Sequence, residues 1–113
     1  MIAVDSSAII AIVRREPEAD RLEDVLIGAD RALMSAATYV ELGAVVDRGG
    51  SSAGSIELDE VLDSLGVSIV DSTPAQARIA RAAYAKFGRG SGHSAALNFG
   101  DCFAYAVARD ADV

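Results

Sequence analysis

The sequence predicts an α/β fold, a three-layer α/β/α sandwich built on a central parallel sheet. Short apolar runs at residues 2–4, 32–34 and 67–70 alternate with longer stretches of helical periodicity. Each of the first two runs ends on small or acidic residues that cap helices, Asp5-Ser6-Ser7 and Ser35-Ala36-Ala37-Thr38. Strands that are apolar on both faces belong in a parallel sheet covered on both sides, and parallel neighbours need helical crossovers between them.

In chain order, Ile2-Ala3-Val4 is the first strand and residues 6–14 a helix whose core stripe is Ala8, Ile9, Ile12 and Val13. Glu16-Pro17 starts a second helix reaching to about Gly28, with proline tolerated in the first turn. Ala32-Leu33-Met34 is the second strand, followed by a helix to Arg48 that Gly49-Gly50 stops. Residues 49–54 are small and polar enough for a loop, and Ile56, Leu58, Val61, Leu62 and Leu65 then mark an amphipathic helix ending at Gly66. Val67-Ser68-Ile69-Val70 is the third strand. Thr73-Pro74-Ala75-Gln76 joins a cap, a proline at the first helical position and a Gln three residues after the cap, and starts a helix to about Phe87. Residues 88–92 are a glycine-rich turn without the Gly-Lys-Ser ending of a nucleotide-binding loop. A last helix begins near Asn98, with Phe99, Cys102, Phe103, Ala106 and Val107 as its expected buried stripe.

At 113 residues and 51% hydrophobic, the chain suits one compact domain. Its apolar stretches are too short or too interrupted to cross a bilayer, and no basic leader precedes a cleavable apolar segment, so a cytoplasmic protein is expected. A single cysteine, Cys102, excludes an internal disulfide and leaves a thiolate metal cluster without partners. The formal charge of -7 argues at first against a nucleic-acid partner. The charge is unevenly placed, however: residues 1–73 hold 5 basic and 14 acidic side chains, residues 74–113 hold 5 basic and 3 acidic. That asymmetry suits carboxylates that hold cations in one part and Arg or Lys that meet phosphate in another. Solvated helix faces explain it as well.

Ligands of open parallel sheets bind beyond the carboxyl ends of the strands. Asp5 closes the first strand, Glu41 lies within two turns of the second, and Asp101 lies in the first turn of the last helix, so three distant carboxylates are placed to converge. Hard divalent cations such as magnesium take oxygen ligands and are held by a few carboxylates with water and substrate phosphate. Each acid also has a structural reading. Asp5 could cap the first helix, Thr38-Tyr39-Val40-Glu41 fits a capping box, and Asn98-Phe99-Gly100-Asp101 resembles one. Glu41 is the only charged side chain between Ala32 and Val46, which suggests a largely buried helix in which a carboxylate needs a partner. Lys86, Arg89 and His93 surround the glycine-rich turn and could approach RNA phosphates, although a lone loop histidine is usually only solvated.

The segment Ile2-Ala3-Val4-Asp5-Ser6-Ser7-Ala8 resembles the opening strand and first acid of PIN domains, and Ser35-Ala36-Ala37-Thr38-Tyr39-Val40-Glu41 is similar to the segment bearing the second. Leu97-Asn98-Phe99-Gly100-Asp101-Cys102-Phe103-Ala104-Tyr105 resembles the third-acid segment of VapC-type toxins. The resemblance spans essentially the whole chain. It implies that Asp5, Glu41 and Asp101 bind Mg2+ or Mn2+ and that the protein hydrolyses RNA, with tRNA and rRNA among the family's targets, as the toxin of a type II toxin-antitoxin pair. A VapB-type antitoxin and a homodimer are the partners it implies. Members of the family usually continue with a strand and a turn carrying a fourth acid; Asp110 and Asp112 do not match that motif, so the sheet is expected to be incomplete at the C-terminus. A phosphotransfer fold fits poorly, because no second acid follows Asp5 by two residues and no lysine sits on a terminal strand. A catalytically inactive PIN-like module that engages an antitoxin or RNA, its acids merely capping helices, is the remaining alternative.

Overall fold

A computed structural model describes residues 1–48 and 52–111. Within them lie β1 (Ile2–Ala3), α1 (Ser6–Val13), α2 (Ala19–Gly28), β2 (Ala32–Ser35), α3 (Ala36–Arg48), α4 (Ser52–Ser64), β3 (Val67–Val70), α5 (Pro74–Phe87) and α6 (Asp101–Asp110). The three strands form one sheet in the order β1-β2-β3, both pairs parallel, with Ile2 opposite Ala32 and Ala32 opposite Val67. The alternating pattern is therefore realised as the expected parallel sheet.

Strand periodicity explains the layers. All four residues of β2 are buried, as befits a central strand covered on both faces. Ala32 and Met34 share one face and join a core with Ile9, Ile12, Leu26, Leu42, Leu58, Leu62 and Val67. Leu33 points to the opposite face and is also buried, on the side where α6 packs against β1 and β2. A second small core of Ala80, Ala83, Cys102 and Ala106 joins α5 to α6. Small side chains there let the two helices pack closely, and Gln76 Nε2 donates to Asp110 Oδ2 at 3.1 Å across the pair.

Local chemistry sets the helix starts. Thr73 Oγ1 accepts from Gln76 N at 3.1 Å with Pro74 at the first helical position, as the sequence predicts. α3 starts differently. Ser35 and Ser72 hydroxyls lie 3.0 Å apart at the ends of β2 and β3, and Ala37 N donates to both at 3.2 Å. Thr38 consequently falls inside α3, buried with an unpartnered hydroxyl among the described residues, and the capping box that was the alternative reading of Glu41 does not form. On the outer side, Tyr39 OH donates to Asp59 Oδ1 at 2.6 Å and ties α3 to α4. Gly66 takes the left-handed φ of +71° that turns the chain from α4 into β3.

Four further expectations are corrected. Helix α2 begins at Ala19 rather than at Pro17, which lies in a turn. Residues 52–54 are helical instead of looped, while Gly49, Gly50 and Ser51, like Asp112 and Val113, lie outside the described residues. α3 is not largely buried: only Thr38 and Leu42 are fully enclosed, and Val40 is 69% exposed. Phe99 is not part of the buried stripe of α6. That helix begins at Asp101, so Phe99 precedes it in a turn and is 67% exposed.

The burial of α3 yields a direct test. Leu42→Ala, at a site with no solvent exposure, is expected to cost about 2–5 kcal/mol. Val40→Ala on the open face is expected to change stability by less than about 0.5 kcal/mol. Urea unfolding of both variants checks this, and equal losses would mean that the open face of α3 is covered in solution.

Candidate active site

The carboxyl ends of β1 and β2 lie side by side, and the chain leaves each of them into a helix. Asp5 is the residue before α1, in extended conformation, and its side chain makes no capping bond to the helix it precedes. Capping therefore does not explain it. Ser7 Oγ donates to Asp5 Oδ2 at 2.8 Å and fixes its rotamer. One turn further along α3 than Thr38, Glu41 reaches across to α1, where Ser6 Oγ donates to its Oε1 at 3.0 Å. Asp101 opens α6 in a reciprocal pair: Asn98 N donates to Asp101 Oδ2 at 2.9 Å, and Asp101 N donates to Asn98 Oδ1 at 2.8 Å. The reciprocal bonds of a capping box are thus present in this third segment, with Asp in the place of Glu, but in the turn before α6 rather than at its N-cap.

These residues line one open cleft of about 390 Å³, whose walls are Asp5, Ser6, Ser7, Ile10, Glu41, Asn98, Phe99, Gly100 and Asp101. All three sequence-predicted acids face it, each half-buried. Each carboxylate has one oxygen engaged, by Ser7, Ser6 or Asn98 N. Their other oxygens, Asp5 Oδ1, Glu41 Oε2 and Asp101 Oδ1, accept no hydrogen bond among the described residues. The donors are all oxygen, the chemistry a hard divalent cation selects. Among the described residues no three acid, His or Cys side chains close into a ready-made metal cage. Magnesium does not need one, because it keeps several waters and takes one or two carboxylates with substrate phosphate. The donor set fits such an ion in an open site.

Gly100 is a cleft residue that sequence reasoning missed. Its backbone lies against Glu41, and a Cβ there would fall on both carboxylate oxygens, 2.6 Å from Cδ. Glu41 is thus seated between the Ser6 hydroxyl and the bare backbone of Gly100, and only glycine leaves that seat open. The signal was present in the run Asn98-Phe99-Gly100-Asp101, where a glycine interrupts an apolar segment beside an acid.

The basic candidates lie elsewhere. Lys86, Arg89 and His93 are exposed, and none of them lines the acid cleft. Lys86 lies over the Phe87 ring, which also meets the His93 ring edge-on at 4.8 Å. His93 Nδ1 accepts from Ala95 N at 3.0 Å and so serves its own turn. The 88–97 loop is closed at its base by Arg89 N to Leu97 O and Leu97 N to Phe87 O, both 2.8 Å. Cys102 is buried; burial first, and the charge of Asp101 second, push its thiol above the ordinary range, away from the reactive thiolate.

Comparison with known proteins decides the family. The PIN domain matches residues 2–113. The chain belongs to the PIN-domain family. It is 51% identical over 107 residues to Ribonuclease VapC28 of Mycobacterium tuberculosis, spanning 95% of this chain and 80% of that protein. It is 43% identical over 106 residues to Ribonuclease VapC42 of the same species, spanning 94% and 81%. Ribonuclease VapC of Mycolicibacterium smegmatis is 39% identical over 108 residues, spanning 96% of this chain and 83% of its own length. These PIN-domain relatives place the chain in the VapC ribonuclease family.

Gly100→Ala separates fold from function in this cleft. Gly100 has helical backbone angles, φ -65° and ψ -36°, and the obstacle is the movable end of a side chain, so the fold should tolerate the methyl group. The variant is expected to stay within about 0.5 kcal/mol of the parent in stability. Displacing Glu41 by an ångström or more should lower RNA cleavage on the order of 100-fold. Thermal melts beside a cleavage assay test this, and full activity would show that the position of Glu41 is immaterial.

Proposed function

We propose that this protein is a metal-dependent endoribonuclease of the VapC kind, acting at the cleft of Asp5, Glu41 and Asp101 as the toxin of a toxin-antitoxin pair. The observation that carries the reading is the meeting of three acids, from segments far apart in sequence, in one cleft at the carboxyl ends of a parallel sheet. Asp5, Glu41 and Asp101 would hold Mg2+ or Mn2+ through their free oxygens. Such an ion, when bound, lowers the pKa of a water, orients it for in-line attack and offsets charge on the phosphate. The chain's own part is placement. Ser6, Ser7 and Asn98 each hold one carboxylate oxygen, so the remaining oxygens would meet a cation without a search through rotamers. In the hydrolysis, water oxygen bonds to phosphorus, the ester P–O bond breaks, and the leaving oxygen takes up a proton.

The relatives' names support a VapB-type antitoxin as partner and RNA as substrate. The groove of about 460 Å³ lined by Ile12, Val13, Ile27 and Val46 together with Arg15, Glu23 and Glu57 supports a protein partner. The open face of α3 around Val40 supports a homodimer. A structured RNA such as tRNA or rRNA is proposed as target on family grounds alone. No described helix is long and apolar enough to cross a membrane. A cytoplasmic location is proposed from the likeness to VapC ribonucleases. The described elements are read as one PIN-like domain. Lys86, Arg89 and His93 are proposed as RNA contacts outside the cleft.

A second reading, the catalytically inactive PIN-like module, draws on one observation: Asp101 already has a structural task in its reciprocal pair with Asn98. Cleavage assays separate the two. Asp5→Asn, Glu41→Gln and Asp101→Asn are each expected to lower manganese-dependent RNA cleavage roughly 100-fold or more, and EDTA should abolish it. Cleavage that persists in all three variants and in EDTA would falsify the assignment of the cleft. Magnesium should also stabilise the folded chain, by about 2.7 kcal/mol at one hundred times its Kd. A calorimetric scan showing no shift at saturating ion counts against a metal site.

A further inference from the structure

We propose that Phe99 and the groove beside it receive one unpaired base of the RNA strand next to the phosphate held at the acid cleft. This rests on the ribonuclease reading and adds a base-binding subsite to it. Phe99 lines the acid cleft on one side. On the other it lines a groove of about 240 Å³ with Ala77, Ala80, Arg81, Tyr84 and Phe103. It is the shared wall of the two, and it is 67% exposed, the second most exposed large hydrophobic among the described residues.

A single exposed aromatic is ordinary on a protein surface. This one is held in place. The Phe103 ring meets it at 5.2 Å and 87°, and the Tyr84 ring at 6.0 Å and 77°, both edge-on geometries that favour a fixed ring. The turn that carries it is pinned by the reciprocal Asn98–Asp101 bonds. A rigid, solvated ring beside a phosphate site is what single-stranded nucleic acid uses as a stacking platform.

The groove favours a base over other occupants. Its volume falls below the roughly 300–1,000 Å³ of pockets for drug-sized ligands, which suits one planar ring. Its walls are almost wholly apolar except for Arg81, which is exposed and makes no ion pair among the described residues. A cation at the rim of an apolar slot matches a nucleotide, with base inside and phosphate outside. Arg81 belongs to the segment after residue 73, where basic residues outnumber acidic ones, so charge complementarity also points to RNA. Because a paired base cannot leave its stack without cost, the subsite selects single-stranded or looped RNA around the cleaved bond.

The test uses the full chain with calcium and a short single-stranded RNA carrying 2-aminopurine at one position after another. Quenching at one position is expected with the parent and with Phe99→Trp. Phe99→Leu, which keeps an apolar side chain without the ring, should lose the quenching and weaken binding about fivefold to 100-fold. Arg81→Gln should weaken all sequences alike and reduce the salt slope by about one. Folding is checked by circular dichroism, where the exposed Phe99 site should show no change. If quenching is absent from the parent or equal in Phe99→Leu, the subsite does not exist. Loss of cleavage in Asp5→Asn with unaltered binding in Phe99→Leu leaves the ribonuclease reading standing and overturns this one. Retained cleavage in Asp5→Asn with lost quenching in Phe99→Leu does the opposite. Weaker binding of a purified antitoxin by Phe99→Leu, with RNA binding unchanged, assigns the groove to protein and overturns the proposal.

Discussion

Glu41 is where the three segments of the cleft meet. Its carboxylate accepts from Ser6 on α1, belongs to α3, and rests on the backbone of Gly100 just ahead of α6. Segments 35 residues apart in one direction and about 60 in the other are thereby brought to one side chain. The register of β1 against β2 sets the distance between α1 and α3. Packing of α6 on both strands brings Gly100 up to them. The cleft is in this sense a consequence of the sheet: the acids are near one another because the strands they follow are adjacent and parallel.

Much of this was legible in the sequence where a local rule decides the structure. Val67 to Val70 and the Thr73-Pro74-Ala75-Gln76 start were read to the residue, since β-branched runs and caps act over a few positions. The Asn98–Asp101 pair was legible for the same reason, and so was the placing of Asp5, Glu41 and Asp101 at helix starts. Where a distant group competes, local reading failed. Ser72, 37 residues from Ser35, joins it in capping α3 and makes the Thr38 box unnecessary. Residues 52–54 have the small, polar composition of a loop, yet they extend a helix whose later turns bury Leu58, Leu62 and Leu65. Phe99 has the right spacing for the α6 stripe, but the helical phase begins only at Asp101.

The open face of α3 illustrates a different limit. An apolar composition between residues 32 and 46 says that the segment avoids water, but not what it packs against. β2 and the inner side of α3 use part of it for the core, and Val40 and Val45 remain outside. Sequence hydrophobicity reports the sum of intramolecular and intermolecular burial, and only coordinates divide the two. The same argument explains why Glu41 did not need a wholly buried setting to be distinctive. It is set apart by what seats it, a hydroxyl and a glycine.

The acidic character of the chain bears on how such a cleft meets a polyanion. Carboxylates that face phosphate repel it, and in a chain of formal charge -7 no background of positive charge relieves this. On the proposed reading a divalent ion reverses the sign locally, so that RNA and ion are each held better in the presence of the other. Arg78, Arg81 and Lys86 on α5, and Arg109 on α6, lie in the half of the chain where positive charge prevails. A strand with its cleaved phosphate at the acids and its neighbouring phosphates along these helices would meet attraction at the ion and at the helices. On that reading the charge asymmetry has a directional consequence: association would weaken with salt through the basic helices, whereas catalysis would depend on the ion at the acids. The two dependences would arise on different elements and be separable by substitution on one without the other.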